Sequence, residues 1–415
     1  DGKTQAHMDT ERIIIIGGGP VGIEAALYGR FLGYDVTVLE KGTVGEHVQS
    51  WGHVKMFSPF GMNSSRLGRS ALLAQSPDLK LPDEDELIDG ERWLREYIIP
   101  LATSDLLSNS IRTGSAVKSV GRTWLSKGHL PSDERDACEF RVLAETPEGE
   151  DVFNAEYVID ASGVLGQPRH LGAGGVPAIG ESTADVFCGV PNSQKCEQMS
   201  NARILVVGNG HSAATTINHL QSLNQRSPET QISWVVRQNT KAPIKVIDDD
   251  PLSHRHEIAT SANAAVRDGN VDLHPHCTVD KISGNGPYIV TLLQWDDDDD
   301  SSLEIEVDFI IKNTGYRPDM SILTETQVHL CYATDGPIKL AAQLLGNTSE
   351  DCTQIDAGGA DTLLNPEPDL FVLGSKSFGR NSNFLFHTGL NQIRDAFTII
   401  GQRDDLDLYE TIEPT

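Results

Sequence analysis

The residues best suited to chemistry in this chain are glycines in two short stretches. Ile13-Ile14-Ile15-Ile16 runs into Gly17-Gly18-Gly19-Pro20-Val21-Gly22, and Ile204-Leu205-Val206-Val207 runs into Gly208-Asn209-Gly210-His211-Ser212-Ala213. Each is an apolar β-run, a glycine turn and the start of a helical pattern, the layout that holds a pyrophosphate on backbone N–H groups at a helix N-terminus. Gly17 and Gly208 allow the tight turn. Gly19 and Gly210 let backbone approach the phosphates, and Gly22 and Ala213 let the helix pack close to its strand. Two such loops in one chain point to two bound dinucleotides and to electron transfer between them.

The strands downstream distinguish the two loops. After the first, the strand Val36-Thr37-Val38-Leu39 ends in Glu40, 23 residues beyond Gly17, with Lys41 next to it. A carboxylate there can accept from the ribose hydroxyls of an adenosine. After the second, Ile232-Ser233-Trp234-Val235-Val236 ends in Arg237. A cation in that place suits a 2′-phosphate, so NADPH is expected rather than NADH. His211 lies inside the second loop and is a candidate contact to the pyrophosphate.

The elements that must position these residues set the domain organisation. The fold class expected is α/β, two Rossmann-like three-layer dinucleotide-binding domains, with the NADPH domain (residues 200–316) inserted between two parts of an FAD domain (9–175 and 317–412). The FAD part closes with the strand Tyr157 to Asp160 and then Ala161-Ser162-Gly163. A hairpin is expected around Pro147-Glu148-Gly149, a connector over 163–201, and a late helix near Asn391 to Gly401. The acidic run Asp296 to Asp300 reads as the solvated tip of a hairpin. Asp1 to His7 reads as a tag remnant.

Composition excludes several classes. The chain has 415 residues, 33 basic and 60 acidic, for a net charge of −27. That argues against nucleic acid or an anionic membrane surface as partner. There is no apolar stretch of transmembrane length and no signal-peptide pattern, so a cytoplasmic protein is expected. The six cysteines fall in no C-x-x-C or metal spacing. No metal site is expected, and His254 and His256 lack a spaced carboxylate partner.

Taken with Lys312-Asn313-Thr314-Gly315-Tyr316-Arg317-Pro318-Asp319, these loops and the Asp160 to Gly163 segment make the chain resemble the two-dinucleotide-domain flavoproteins, which include thioredoxin reductases and the flavin-containing and Baeyer–Villiger monooxygenases. The resemblance implies FAD and NADPH as cofactors and gives Ser162, Gly163, Thr314 and Gly315 the role of crossover points between the domains. The stretches Trp51 to Phe60 and Gly374 to Leu385 resemble the single-component monooxygenase-like group found in arsenic-resistance operons. Two departures stand out. The pattern F-x-G-x-x-x-H would fall on Phe187-Cys188-Gly189, with Ser193 in place of the histidine, and Gly374 is followed by Ser375 where disulfide reductases of this superfamily carry an aspartate for the flavin ribityl chain.

The resemblance also implies a mechanism. The segment from Trp51 to Asn63 covers one face of the isoalloxazine, and the positive end of the late helix near Gly389 faces its N1–C2=O edge. Hydride from NADPH passes to N5. No cysteine lies between Lys41 and Ser64, so no dithiol stands beside the flavin. Reduced flavin then activates O2 at C4a and oxygenates a small-molecule substrate, or passes electrons to a non-disulfide acceptor such as a quinone, a metal complex or a protein. His53 and Lys55 are the candidate catalytic residues. Lys376 and Arg380 are candidate clamps for an anionic group, and a homodimer is the assembly this reading allows.

Overall fold

The computed structural model describes residues 10–130, 132–295, 301–346, 351–354 and 358–411. The tag-like residues, the acidic run at 296–300 and residue 412 lie outside the described residues. The chain divides into two compact units: one takes the residues up to Gln167 and from Arg317 onward, the other is Pro168–Tyr316.

The first unit is built on a five-stranded parallel sheet of β1 (Arg12–Ile16), β2 (Asp35–Leu39), β3 (Ile111–Arg112), β7 (Tyr157–Asp160) and β16 (Leu370–Val372), in the order β16-β7-β1-β2-β3. A second sheet of β4 (Ala116–Arg122), β5 (Phe140–Thr146) and β6 (Gly149–Ala155) is antiparallel, with the expected hairpin joining β5 to β6. The isoleucine run of β1 explains the layering. A strand alternates its side chains between faces, and a central parallel strand is buried on both. Ile13 and Ile15 pack with Ile23, Leu27, Val38, Ile159, Ile393 and Phe397 on the helical side. Ile14 and Ile16 pack with Val120, Phe140, Val142 and Val158 under the antiparallel sheet. Ile15 pairs with Val38 on one side and Ile159 on the other, so this register sets the core. Burying each such side chain contributes roughly 1.5–3 kcal/mol. The helices on the first face are α1 (Pro20–Phe31) and, late in the chain, α4 (Phe386–Ile400).

The second unit repeats the plan. Its parallel sheet has the order β11-β10-β9-β15-β8, from β8 (Val186–Cys188), β9 (Arg203–Val207), β10 (Gln231–Val236), β11 (Asp272–Pro275) and β15 (Phe309–Lys312). Its antiparallel sheet is β12 (Cys277–Ser283), β13 (Tyr288–Gln294) and β14 (Ser301–Val307). Ile204 and Val206 face α2 (His211–Arg226) and α3 (Ser253–Arg267), while Leu205 and Val207 face the antiparallel strands. β8 falls inside the stretch expected to be connector and forms the sheet's edge, paired in parallel with β15. Three residues are too short to show a period. No described helix is long and apolar enough to cross a membrane.

Candidate cofactor sites

In the first unit β1 turns at Gly17, whose φ is +103° and whose N–H donates to the Leu39 carbonyl at 2.9 Å. A Cβ there would lie 2.8 Å from the Ala161 carbonyl oxygen and from Ser162 Cα. At Gly22 a Cβ would lie 2.0 Å from the Gly17 carbonyl oxygen, so the helix sits directly on the turn. Gly19 is different: its backbone is extended, it caps α1 with no side-chain hydrogen bond, and a Cβ there would meet nothing within 4 Å. Pro20 at the first helical position has no N–H to satisfy and fixes φ for the helix. The positive end of α1 is thus left without a side-chain cap at the one glycine of the loop with open space before it, which fits an anion such as a pyrophosphate.

Glu40 is placed at the end of β2, as expected, but its carboxylate is already engaged. It accepts from the Gly18 N–H at 2.6 Å and the Gly42 N–H at 2.8 Å. Each oxygen retains lone-pair capacity for a hydroxyl. Lys41 is exposed. Trp51 is half-buried against Gly90, where a Cβ would touch its ring at 2.5 Å; its ring lies 6.3 Å from that of Trp93, and Trp93 stacks edge-on to Phe386 at 5.3 Å. This aromatic row leads to the start of α4. His53 and Lys55 are both exposed, and the Lys55 backbone bridges to Asp89.

Two further positions gather at the first turn of α1. A Cβ on Gly374 (φ +72°) would meet Val21 at 3.4 Å, and one on Gly389 would meet Val21 at 3.0 Å. The N-terminal ends of α1 and α4 therefore meet around Val21, and α4 also lacks a side-chain cap. The turn after β16 is locked from α4: Gln392 accepts from the Gly374 N–H at 2.8 Å and donates to Ser377 Oγ at 2.9 Å. Ser375 Oγ lies 3.7 Å from where a Gly163 Cβ would stand.

Sequence reading missed the pair at the centre of this region. Lys376 does not reach out as a clamp. It is buried, donating from Nζ to Asp160 Oδ2 at 2.6 Å and to Ser162 Oγ at 2.9 Å, while Ser162 donates from Oγ to Asp160 Oδ1 at 2.7 Å. Arg380 pairs with Asp335 at 2.6 Å. The pair Asp160–Lys376 spans 216 residues, and no periodicity or spacing announces it. On α1 itself, Glu24 is fully buried. Tyr97 Oη donates to its Oε1 and Ser65 Oγ to its Oε2, and burial pushes its carboxyl up to about 7 despite those bonds.

The second unit has its own loop. Gly208 has φ +125°, and a Cβ on it would strike the Asn313 carbonyl oxygen at 2.2 Å. Its carbonyl accepts from Trp234 Nε1 at 2.7 Å. Gly210 caps α2 without a side-chain bond and a Cβ there would also meet nothing within 4 Å, as at Gly19. His211 and Ser212 open α2, and Ala213 is buried where Gly22 stands in the first unit. Burial, reinforced by Arg255, holds the His211 imidazole below its usual range. Arg255 itself is tied to Asp250 by two bonds, of 2.8 and 2.6 Å. Arg237 is exposed just past β10, with no carboxylate among the described residues in ion-pair reach. Thr314 donates from Oγ1 to the Arg169 carbonyl at 2.8 Å, and Gly315 (φ +81°) accepts from the Arg169 N–H at 2.9 Å. The division into units falls shortly after Gly163 and directly after Tyr316. Among the described residues no three His, Cys, Asp or Glu side chains group as metal ligands.

Comparison with solved structures finds the same fold. The bacillithiol disulfide reductase of Bacillus cereus is 19% identical, with a TM-score of 0.66 over 95% of this chain and 100% of its own. The cadaverine monooxygenase of desferrioxamine biosynthesis from Erwinia amylovora is 13% identical, with a TM-score of 0.66 over 98% of this chain and 97% of its own. The ornithine N-hydroxylase of Kutzneria sp. 744 is 14% identical, with a TM-score of 0.61 over 95% and 100%. No curated protein matches the sequence significantly. The profile described as pyridine nucleotide-disulphide oxidoreductase matches residues 99–356, more than half of the chain, and the protein belongs to that family.

Proposed function

We propose that this oxidoreductase carries FAD in the first unit and NADPH in the second, and that it is a flavin monooxygenase acting on a small molecule with O2. In the first unit Gly17, Gly19, Pro20, Val21 and Gly22 would hold the pyrophosphate, and Glu40 the adenosine ribose. Ser162, Gly163, Gly374, Ser375 and Gly389 would line the course of the cofactor toward the start of α4. In the second unit Gly208, Gly210, His211, Ser212 and Ala213 would hold the NADPH pyrophosphate and Arg237 the 2′-phosphate. Bound FAD would supply a carrier that takes a hydride and can reduce O2. The chain's own part is to place the positive ends of α1 and α4 where negative charge collects. The aromatic row from Trp51 to Phe386 would keep water from that region. His53 and Lys55 are proposed to handle protons from the solvent side.

One observation carries the choice of acceptor. The six cysteines fall in no C-x-x-C spacing, and the stretch expected against the flavin, Lys41 to Ser64, contains none. Electrons therefore leave for a diffusible acceptor and not for a resident dithiol. The test is to reduce the purified holoprotein anaerobically with NADPH, admit O2 and track the flavin absorbance. A transient before the oxidised spectrum returns supports oxygenation. Direct return without a transient, together with turnover of quinones or metal complexes, would replace the monooxygenase reading by a reductase one.

A further inference from the structure

Asp160, the last residue of β7, and Lys376, in the turn that follows the edge strand β16, form a buried ion pair at the carboxyl end of these two neighbouring parallel strands. In open parallel sheets that is the edge outside which ligands bind. Both partners belong to segments that touch the phosphate loop. Ser162, bonded to both charges, abuts Gly17, and the turn carrying Lys376 begins at Gly374, against Val21. The side chains are 0 and 1% exposed, so water does not screen them. A buried pair of this kind is weak evidence for stability, because desolvation cancels much of the attraction. Its electrostatic effect on a neighbour is another matter.

We propose that Asp160 is a positioning residue that masks the Lys376 ammonium and thereby sets the reduction potential of the flavin bound beside it. This inference rests on the proposed FAD site. Uptake of a hydride, one proton and two electrons, adds one negative charge at the cofactor. An unmasked ammonium beside it favours that charge and raises the potential; the carboxylate cancels the effect. Without Asp160, the Lys376 ammonium still donates to Ser162 Oγ, and its charge still acts on Asp319. Hydrogen bonding from Ser321, and then the Lys376 charge, hold the Asp319 carboxyl below its usual range.

The experiment compares flavin midpoint potentials of the holoproteins at equilibrium with a reference dye. Asp160→Asn is expected to shift the potential upward by at least about 30 mV, the equivalent of tenfold in a two-electron equilibrium constant. The double variant Asp160→Asn/Lys376→Met is expected to return close to the parent. Lys376→Met alone, which leaves the carboxylate without its ammonium, is expected to shift downward, and carries the test if Asp160→Asn does not fold. A pair that only braces the backbone would move both single variants in one direction and leave the double variant no better. That result would overturn the proposal. A parent protein that neither carries FAD nor takes it up on titration would instead overturn the assignment of the site.

Discussion

Replacing Glu24 by Gln should stabilise the protein at alkaline pH, an unusual outcome for a buried, fully bonded side chain. The carboxyl is pushed up to about 7 by burial, against an ordinary value near 4.5. Between those two pH values the folded chain holds a proton that the unfolded chain has lost, so stability falls as pH rises through this window and the loss is complete above about 7. Raising the carboxyl from 4.5 to about 7 corresponds to about 3 kcal/mol. Glutamine mimics the protonated acid: its Oε1 accepts from Tyr97 Oη, and its Nε2 donates to Ser65 Oγ, which also accepts from the Gly68 N–H at 2.7 Å. Urea unfolding of the two holoproteins at several pH values measures the difference. At pH 8 Glu24→Gln should be more stable by up to about 3 kcal/mol, and the advantage should fade toward zero near pH 4.5. A variant that is less stable at pH 8, or an advantage independent of pH, would refute the reasoning and show that the ionised carboxylate is favoured in place.

The cofactor sites and the cysteines give three other expected outcomes. Gly19→Val should yield folded protein without bound FAD, since a Cβ there meets nothing of the protein within 4 Å while the proposed pyrophosphate needs close backbone approach; a fully flavin-loaded variant would remove the pyrophosphate from this loop. Arg237→Ala should weaken NADPH by roughly ten- to a hundredfold, the worth of a charge-assisted bond of about 1.5–3 kcal/mol, and leave NADH nearly unchanged; equal losses for both would mean that Arg237 only shapes the loop. Replacing all six cysteines by serine should leave NADPH-driven flavin reduction and steady-state turnover intact once flavin occupancy is matched, with some lost stability because Cys196, Cys277 and Cys331 are buried; loss of turnover alone would mean that a thiol relays electrons.

The fold was largely legible because its signals are local. The runs Ile13 to Ile16 and Ile204 to Val207 state their own burial on two faces, and each glycine turn declares the helix after it. The contacts that finish the first unit were not legible. Asp160 meets Lys376, Glu24 meets Tyr97, and Glu367 is gripped by Arg122 and Arg135, with a closest contact of 2.6 Å. Each joins residues far apart in sequence, and a charged residue in a string of letters reads as surface until the fold encloses it. His53 and Lys55 illustrate the converse. Their types suit catalysis, but nothing in the sequence fixes their surroundings, and the structure leaves both exposed.

The split of the first unit along the chain has a consequence for biosynthesis. Val372 of β16 pairs beside Asp160 of β7, yet 212 residues separate them. At about 5–20 residues per second the ribosome needs roughly 10–40 s to deliver the second after the first. Over that interval β7 has no partner on one side, and Asp160 waits without its ammonium. The second unit, Pro168–Tyr316, is continuous and emerges whole in the meantime, with all five of its parallel strands. The nascent chain should therefore complete the second unit first, and the first unit, proposed to hold FAD, only once the segment from Arg317 onward has emerged.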